Sequence, residues 1–156
     1  EFRRVLFRSG DPDGTLPDAG VPMDRLPELL AEADYLVNAV PMTPATAGLL
    51  DGDCLAAMKS TAYLINVGRG GTIDEAALAH ALQERWIAGA ALDVFAQEPL
   101  PDDSPFYRLD NVIVSAHVSG FIPSYDAKCT DLFCENLLRF LDGRPLLNLV
   151  DRSRGY

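Results

Sequence analysis

The sequence predicts an α/β fold, a parallel sheet with flanking helices. Four short runs, 34–40, 62–67, 87–94 and 111–116, are apolar almost without interruption, the pattern of strands covered on both faces. Helical segments separate the first three runs, and such alternation means parallel βαβ units with right-handed crossovers. With 156 residues, 48% of them hydrophobic, the chain is long enough for one compact domain with its own core.

The elements follow in order. Residues 10–23 are rich in Gly, Pro and Asp and read as a loop. Residues 24–33 form a short helix with Leu26, Leu29 and Leu30 on one side. The strand over 34–40 is stopped by Pro41. After a turn, "CLAAMK" (54–59) gives a short helix and "AYLINV" (62–67) a second strand. Thr72 and Glu75 have capping-box spacing and open the helix that follows. The third strand, 87–94, is built of small residues, which lets a neighbour pack closely. A proline-rich stretch leads to the fourth strand, 111–116. The longest helix, 124–142, sets Cys129, Leu132, Phe133, Leu137, Phe140 and Leu141 at helical spacing, with Gly143 as its stop.

The formal net charge of −10 disfavours nucleic acid and anionic membrane surfaces as partners. No apolar run approaches the roughly 20 residues of a membrane span, and no signal-peptide pattern opens the chain. The three cysteines, Cys54, Cys129 and Cys134, lack CxxC spacing. Neither a disulfide frame nor a metal site is expected, and a reducing, cytoplasmic compartment is the simplest reading. Residues 1–9, "EFRRVLFRS", carry three of the thirteen basic residues and read like a non-native junction. A native strand over "RVLFR" is the competing reading.

In an open parallel sheet, ligands bind outside the carboxyl ends of the strands. Pro41, Thr43 and Thr46 follow the first strand, and Gly68-Arg69-Gly70-Gly71 follows the second. Asp93 ends the third, with Glu98 five residues later, and His117 follows the fourth, ahead of Ser119 and Gly120. Each has an ordinary reading: a flanking cation, a strand end, an exposed loop carboxylate, a capping imidazole. Arg69 nevertheless precedes a helix start, where the dipole disfavours a cation, and four such groups at one edge point to chemistry. The other histidine, His80, sits mid-helix and reads as structural or partly exposed. "GRGG" is not a pyrophosphate loop, because position 73 is Ile and no GxGxxG occurs in the chain.

Five segments in order, "AVPMTPATAGLL", "LINVGRGGTIDEAALAHAL", "GAALDVFAQEPLP", "DNVIVSAHVSGF" and "ENLLRFLDGRPLLNLVD", resemble the D-isomer-specific 2-hydroxyacid dehydrogenases from about residue 32 to the end. The resemblance implies a Rossmann-like fold that is incomplete, its first βαβ half with GxGxxG being absent. Beyond the junction read at 1–9, it implies a partial NAD(P)-binding domain at 10–123 and a C-terminal helix and tail at 124–156 returning to a missing substrate domain. It also implies that Arg69 binds substrate, that His117 is the acid/base, and that Glu98 is its carboxylate partner. Pro41, Thr46, Val67, Gly68, Arg69, Asp93, His117, Ser119 and Gly120 would lie along the cofactor, NAD or NADP, with Asp93 at the nicotinamide carboxamide. Arg8-Ser9 would fit NADP, but those residues belong to the suspect segment.

The implied chemistry suits these residue types. Reduction of a 2-keto acid needs a hydride on carbon and a proton on oxygen. A guanidinium fork grips the carboxylate in a fixed plane, which an ammonium cannot do. An unperturbed His titrates near pH 6.5, and a neighbouring carboxylate fixes its tautomer. The expected function is an oxidoreductase moving hydride between nicotinamide and a small 2-hydroxy or 2-keto acid, of the glyoxylate or hydroxypyruvate type. The parent would be a homodimer, and this chain a fragment inactive alone. The alternative is a dinucleotide-sensing, corepressor-like interaction domain, because such relatives can retain the same triad.

Overall fold

The computed structural model describes residues 5–6, 19–20 and 23–152. Arg8, Ser9 and most of the 1–9 and 10–23 segments lie outside the described residues. Two short strands, β1 (Val5–Leu6) and β2 (Ala19–Gly20), pair in parallel, so two residues of the expected loop are strand. Then come α1 (Leu26–Glu32), β3 (Tyr35–Asn38), α2 (Gly52–Ala57), β4 (Tyr63–Asn66), α3 (Glu75–Gln83), β5 (Gly89–Leu92), β6 (Val112–Val114) and α4 (Tyr125–Leu141). Among the described residues, no helix is long and apolar enough to cross a membrane.

β3, β4, β5 and β6 form one parallel sheet in sequential order. Three right-handed crossovers progressing in one direction put their connections on one face. α1 packs against α2, and α2 against α3. The core lies between those helices and the sheet, where Leu30, Leu55, Leu64, Leu78, Leu82 and Ile87 are fully buried. Each such side chain contributes about 1.5–3 kcal/mol. Two rungs point into it: Leu36, Leu64, Ala90 and Val112, then Asn38, Asn66, Leu92 and Val114.

The expectation of strands covered on both faces does not hold. Tyr35, Val37, Tyr63 and Ile113 point the other way and are exposed, Ile113 by 72%. The strands are apolar on both sides, as the sequence says, but among the described residues nothing covers the second face. Tyr35 and Tyr63 stack there at 5.7 Å. Gly89 makes the close packing expected of the third strand: a Cβ would sit 2.6 Å from the Asn111 carbonyl and 3.0 Å from the Tyr63 ring.

Helix starts need two corrections. α2 begins at Gly52 rather than 54, because Asp51 accepts a hydrogen bond from the Cys54 amide (2.9 Å) and caps it. The Thr72–Glu75 capping box does not form. Asp74 caps α3 by accepting from the Ala77 amide (3.0 Å), while Thr72 sits in a 3₁₀ turn over Gly70–Thr72. Glu75 instead accepts from the Ala96 amide (2.6 Å), tying the start of α3 to the loop after β5. His80 is exposed on α3 and packs edge-on against Trp86 (5.2 Å).

α4 forms as expected and stops at Gly143, which has φ +66°. None of its residues is buried, and Phe133, Leu137, Phe140 and Leu141 are exposed. An amphipathic stripe predicts that a helix has something to pack on, not that the partner is present. The tail folds back on the helix, with Asn136 donating to the Leu147 carbonyl and accepting from its amide.

Candidate active site

The carboxyl ends of β4, β5 and β6 open onto one edge. After β4 the chain turns through Gly68-Arg69-Gly70, and both glycines answer to steric demand. A Cβ on Gly68 would lie 2.8 Å from the Val40 carbonyl oxygen, and one on Gly70 would lie 1.9 Å from the Phe95 carbonyl carbon. Only bare backbone fits between the end of β3 and the loop after β5. Arg69 is thereby carried against the loop that bears Glu98. Gly70→Ala is expected to destabilise the protein by about 3 kcal/mol, the upper end of overpacking costs, read as a lowered thermal midpoint. An unchanged midpoint would show that the two loops are not in contact.

Asp93, 4% exposed, closes β5 and organises everything after β6. Its carbonyl accepts from the His117 amide (2.8 Å). Its Oδ1 accepts from Ser115 Oγ (2.5 Å) and the Val118 amide (2.9 Å), and its Oδ2 from the Ser119 amide (3.0 Å). Three consecutive amides are thus held by one residue. The hold matters because His117 has φ +54°, a left-handed conformation that costs a residue with a Cβ about 1–2 kcal/mol.

Burial pushes the Asp93 carboxyl up, but hydrogen bonds from Ser115, Ser119 and Val118 outweigh it and hold the group well below the usual carboxylate range. A carboxyl depressed in the folded state stabilises the fold above its unfolded pKa of about 3.9 and loses that contribution as pH falls. Unfolding free energy should therefore drop below about pH 4. In Asp93→Asn that acid dependence should shrink. The variant should also lose about 1–3 kcal/mol at neutral pH, because an amide NH₂ would face the Ser119 N–H. Identical acid limbs in urea titrations would refute this.

Glu98 bridges the loops. Its Oε1 accepts from the Phe95 amide (2.9 Å) and its Oε2 faces His117 Nδ1 at 2.7 Å. The hydrogen bond from His117, then that from Phe95, keep the Glu98 carboxyl below its ordinary value, and the Arg69 charge adds to this. An ionised carboxylate only accepts, so Nδ1 carries the proton and Nε2 is the nitrogen left free to exchange one. The edge therefore brings Arg69, Glu98 and His117 together. All three are exposed, whereas Asp93 is buried.

The remaining sequence candidates fall around this edge. Thr46 Oγ donates to the Pro41 carbonyl (2.6 Å) and accepts from the Thr43 amide (2.8 Å), so its hydroxyl shapes its own turn. That turn runs beside the Arg69 loop, the Gly48 amide donating to the Gly71 carbonyl (2.9 Å). Val67 and Val118 are exposed apolar residues on the rim. Around Gly120 the space is open, no atom lying within 4 Å of a Cβ built there. Asn38, Asn66 and Ser115 also belong to the site's surroundings without being expected there, and Thr72 and Glu75, expected only as a capping box, bond to the Arg69 and Glu98 loops instead. The one signal for the first two was an Asn closing each of two apolar strands, in "LVN" and "LIN".

Residues 5–119 match the model of the family described as D-isomer specific 2-hydroxyacid dehydrogenase, NAD binding domain. The match begins inside the segment that the sequence reading sets aside. A glyoxylate reductase of Korarchaeum cryptofilum is 39% identical over 136 residues, 87% of this chain and 41% of that protein. A glyoxylate/hydroxypyruvate reductase B of Yersinia enterocolitica is 43% identical over 126 residues, 81% of this chain and 39% of that protein. The chain thus spans about two fifths of the length of these relatives. The crystal structure of a D-isomer specific 2-hydroxyacid dehydrogenase from Xanthobacter autotrophicus Py2, in complex with NADPH and MES, superposes with a TM-score of 0.85 at 37% identity, covering 97% of this chain and 61% of that one.

Proposed function

Because the chain belongs to the D-isomer specific 2-hydroxyacid dehydrogenase family, we propose that the intact protein is an NAD(P)-dependent oxidoreductase that interconverts a small 2-keto acid and its 2-hydroxy acid, with glyoxylate or hydroxypyruvate as substrate. The observation that carries the reading is the 2.7 Å contact of His117 Nδ1 with Glu98, whose carboxyl also feels the charge of Arg69.

The residues suit the nicotinamide end of a dinucleotide. Two glycines bring bare backbone to the edge, Val67 and Val118 offer apolar surface for a flat ring, and the space at Gly120 is open. Asp93, at the end of β5, would meet the carboxamide N–H. Pro41, Thr46, Gly68 and Ser119 would line the same groove. When bound, NAD or NADP supplies or accepts the hydride.

The chain's own groups do the rest. Arg69 would hold the substrate carboxylate through a two-pronged charge-assisted contact and polarise the adjacent carbonyl. His117 would donate its Nε2 proton to the carbonyl oxygen as negative charge develops there, and would take it back in the oxidation direction. Glu98 would keep the imidazole in the tautomer that this requires.

The same reading divides the chain into a junction at 1–9, a partial cofactor domain at 10–123 and a C-terminal return at 124–156. The uncovered sheet face and the exposed α4 support a fragment whose partner surfaces lie elsewhere in the parent, a homodimer on this reading. The free cysteines Cys54, Cys129 and Cys134 suit a cytoplasmic setting. The test is coenzyme oxidation at 340 nm by the intact protein, with glyoxylate or hydroxypyruvate and NADH or NADPH in separate assays. Turnover with at least one pair is expected. No turnover with either acid, by folded protein that binds coenzyme, would sink the reading.

A further inference from the structure

Three buried polar side chains stand behind the Arg69 turn, and the reaction outlined for this site leaves them without a task. Thr72 is 0% exposed, Asn66 2% and Asn38 5%. Asn66 accepts from the Gly68 amide through Oδ1 (3.2 Å) and donates to the Arg69 carbonyl through Nδ2 (3.4 Å). Thr72 donates its hydroxyl to that same carbonyl (2.6 Å), and its amide does so as well (3.2 Å). From the neighbouring strand, Asn38 Nδ2 reaches both Asn66 Oδ1 (3.0 Å) and Thr72 Oγ (2.7 Å).

The polarity of this network has one solution. The Gly68 N–H can only donate, so Asn66 must turn its oxygen to it. The Arg69 carbonyl can only accept, so Thr72 gives up its single hydroxyl proton there and can only accept from Asn38. Asn38 must therefore present its NH₂ to both. The Arg69–Gly70 peptide is gripped at its carbonyl and the Val67–Gly68 peptide, one step before Arg69, at its N–H, yet none of these contacts involves the guanidinium, and Arg69 itself is exposed. We propose that Asn38, Asn66 and Thr72 are positioning residues for Arg69, fixing the backbone from which it engages the substrate carboxylate. The proposal rests on Arg69 being the carboxylate-binding residue.

The test compares Thr72→Val, which keeps the shape and removes the hydroxyl, with Thr72→Ser, which restores it, in the intact protein. For Thr72→Val, the KM for glyoxylate and the inhibition constant of oxalate, a carboxylate probe that takes no hydride, should both rise about tenfold or more. Coenzyme affinity should stay within about twofold, as for an uncoupled site. Thr72→Ser should restore both substrate constants. Folded Thr72→Val with unchanged substrate and oxalate constants would overturn the proposal. So would a parallel fall in coenzyme affinity, which marks a merely structural role. Should Thr72→Val not fold, Asn38→Ala, at the far end of the network, is read by the same constants. Arg69→Ala separates the two levels of inference. Loss of oxalate inhibition there, with none in Thr72→Val, refutes the positioning role alone, whereas undiminished inhibition in Arg69→Ala refutes the reading of the site.

Discussion

Replacing His117 with alanine should lower keto-acid reduction by the intact protein about 10²–10⁴-fold, the span of a lost general acid. The fall should appear in kcat and in kcat/KM together, because the proton moves only on the way to the transition state. Coenzyme affinity, followed by fluorescence titration, should survive. The substitution leaves the amide that donates to the Asp93 carbonyl in place and removes only the imidazole that meets Glu98. Rates within threefold of wild type would mean that the proton comes from elsewhere.

Arg69→Ala should act on a different parameter. Among the described residues the guanidinium makes one hydrogen bond, from its Nη1 to the Gly68 carbonyl (2.7 Å), so its removal should leave the fold intact. Losing one partner of a desolvated charge pair costs about 2–5 kcal/mol, or a fall of about 30- to 5000-fold in kcat/KM for a keto acid. Much of the loss should lie in KM, with coenzyme binding retained. Arg69→Lys should recover only a small part, because an ammonium cannot make two parallel contacts in one plane. Full activity in Arg69→Lys would reduce the residue to a point charge.

Much of the site was readable in the order of residues. A strand's carboxyl end is a place the sequence can locate, because apolar runs stop and Gly, Asp and His begin. Arg69, Asp93, Glu98 and His117 were found by that rule and by motif likeness together. The start of α3 differs from the expected one for a local reason: Asp74 takes the N-cap, and Thr72 is drawn away to the Arg69 carbonyl.

From the sequence alone come the parallel sheet and the edge on which the candidate residues gather. Those follow from local pattern and the handedness of crossovers. Only the folded chain reveals that Asp93 spends its carboxylate on the loop bearing His117, that among the described residues one sheet face is uncovered, and that Asn38 and Asn66 grip each other 28 positions apart. These depend on contacts between residues far apart in the chain, which form only once the strands pair and the loops close over them.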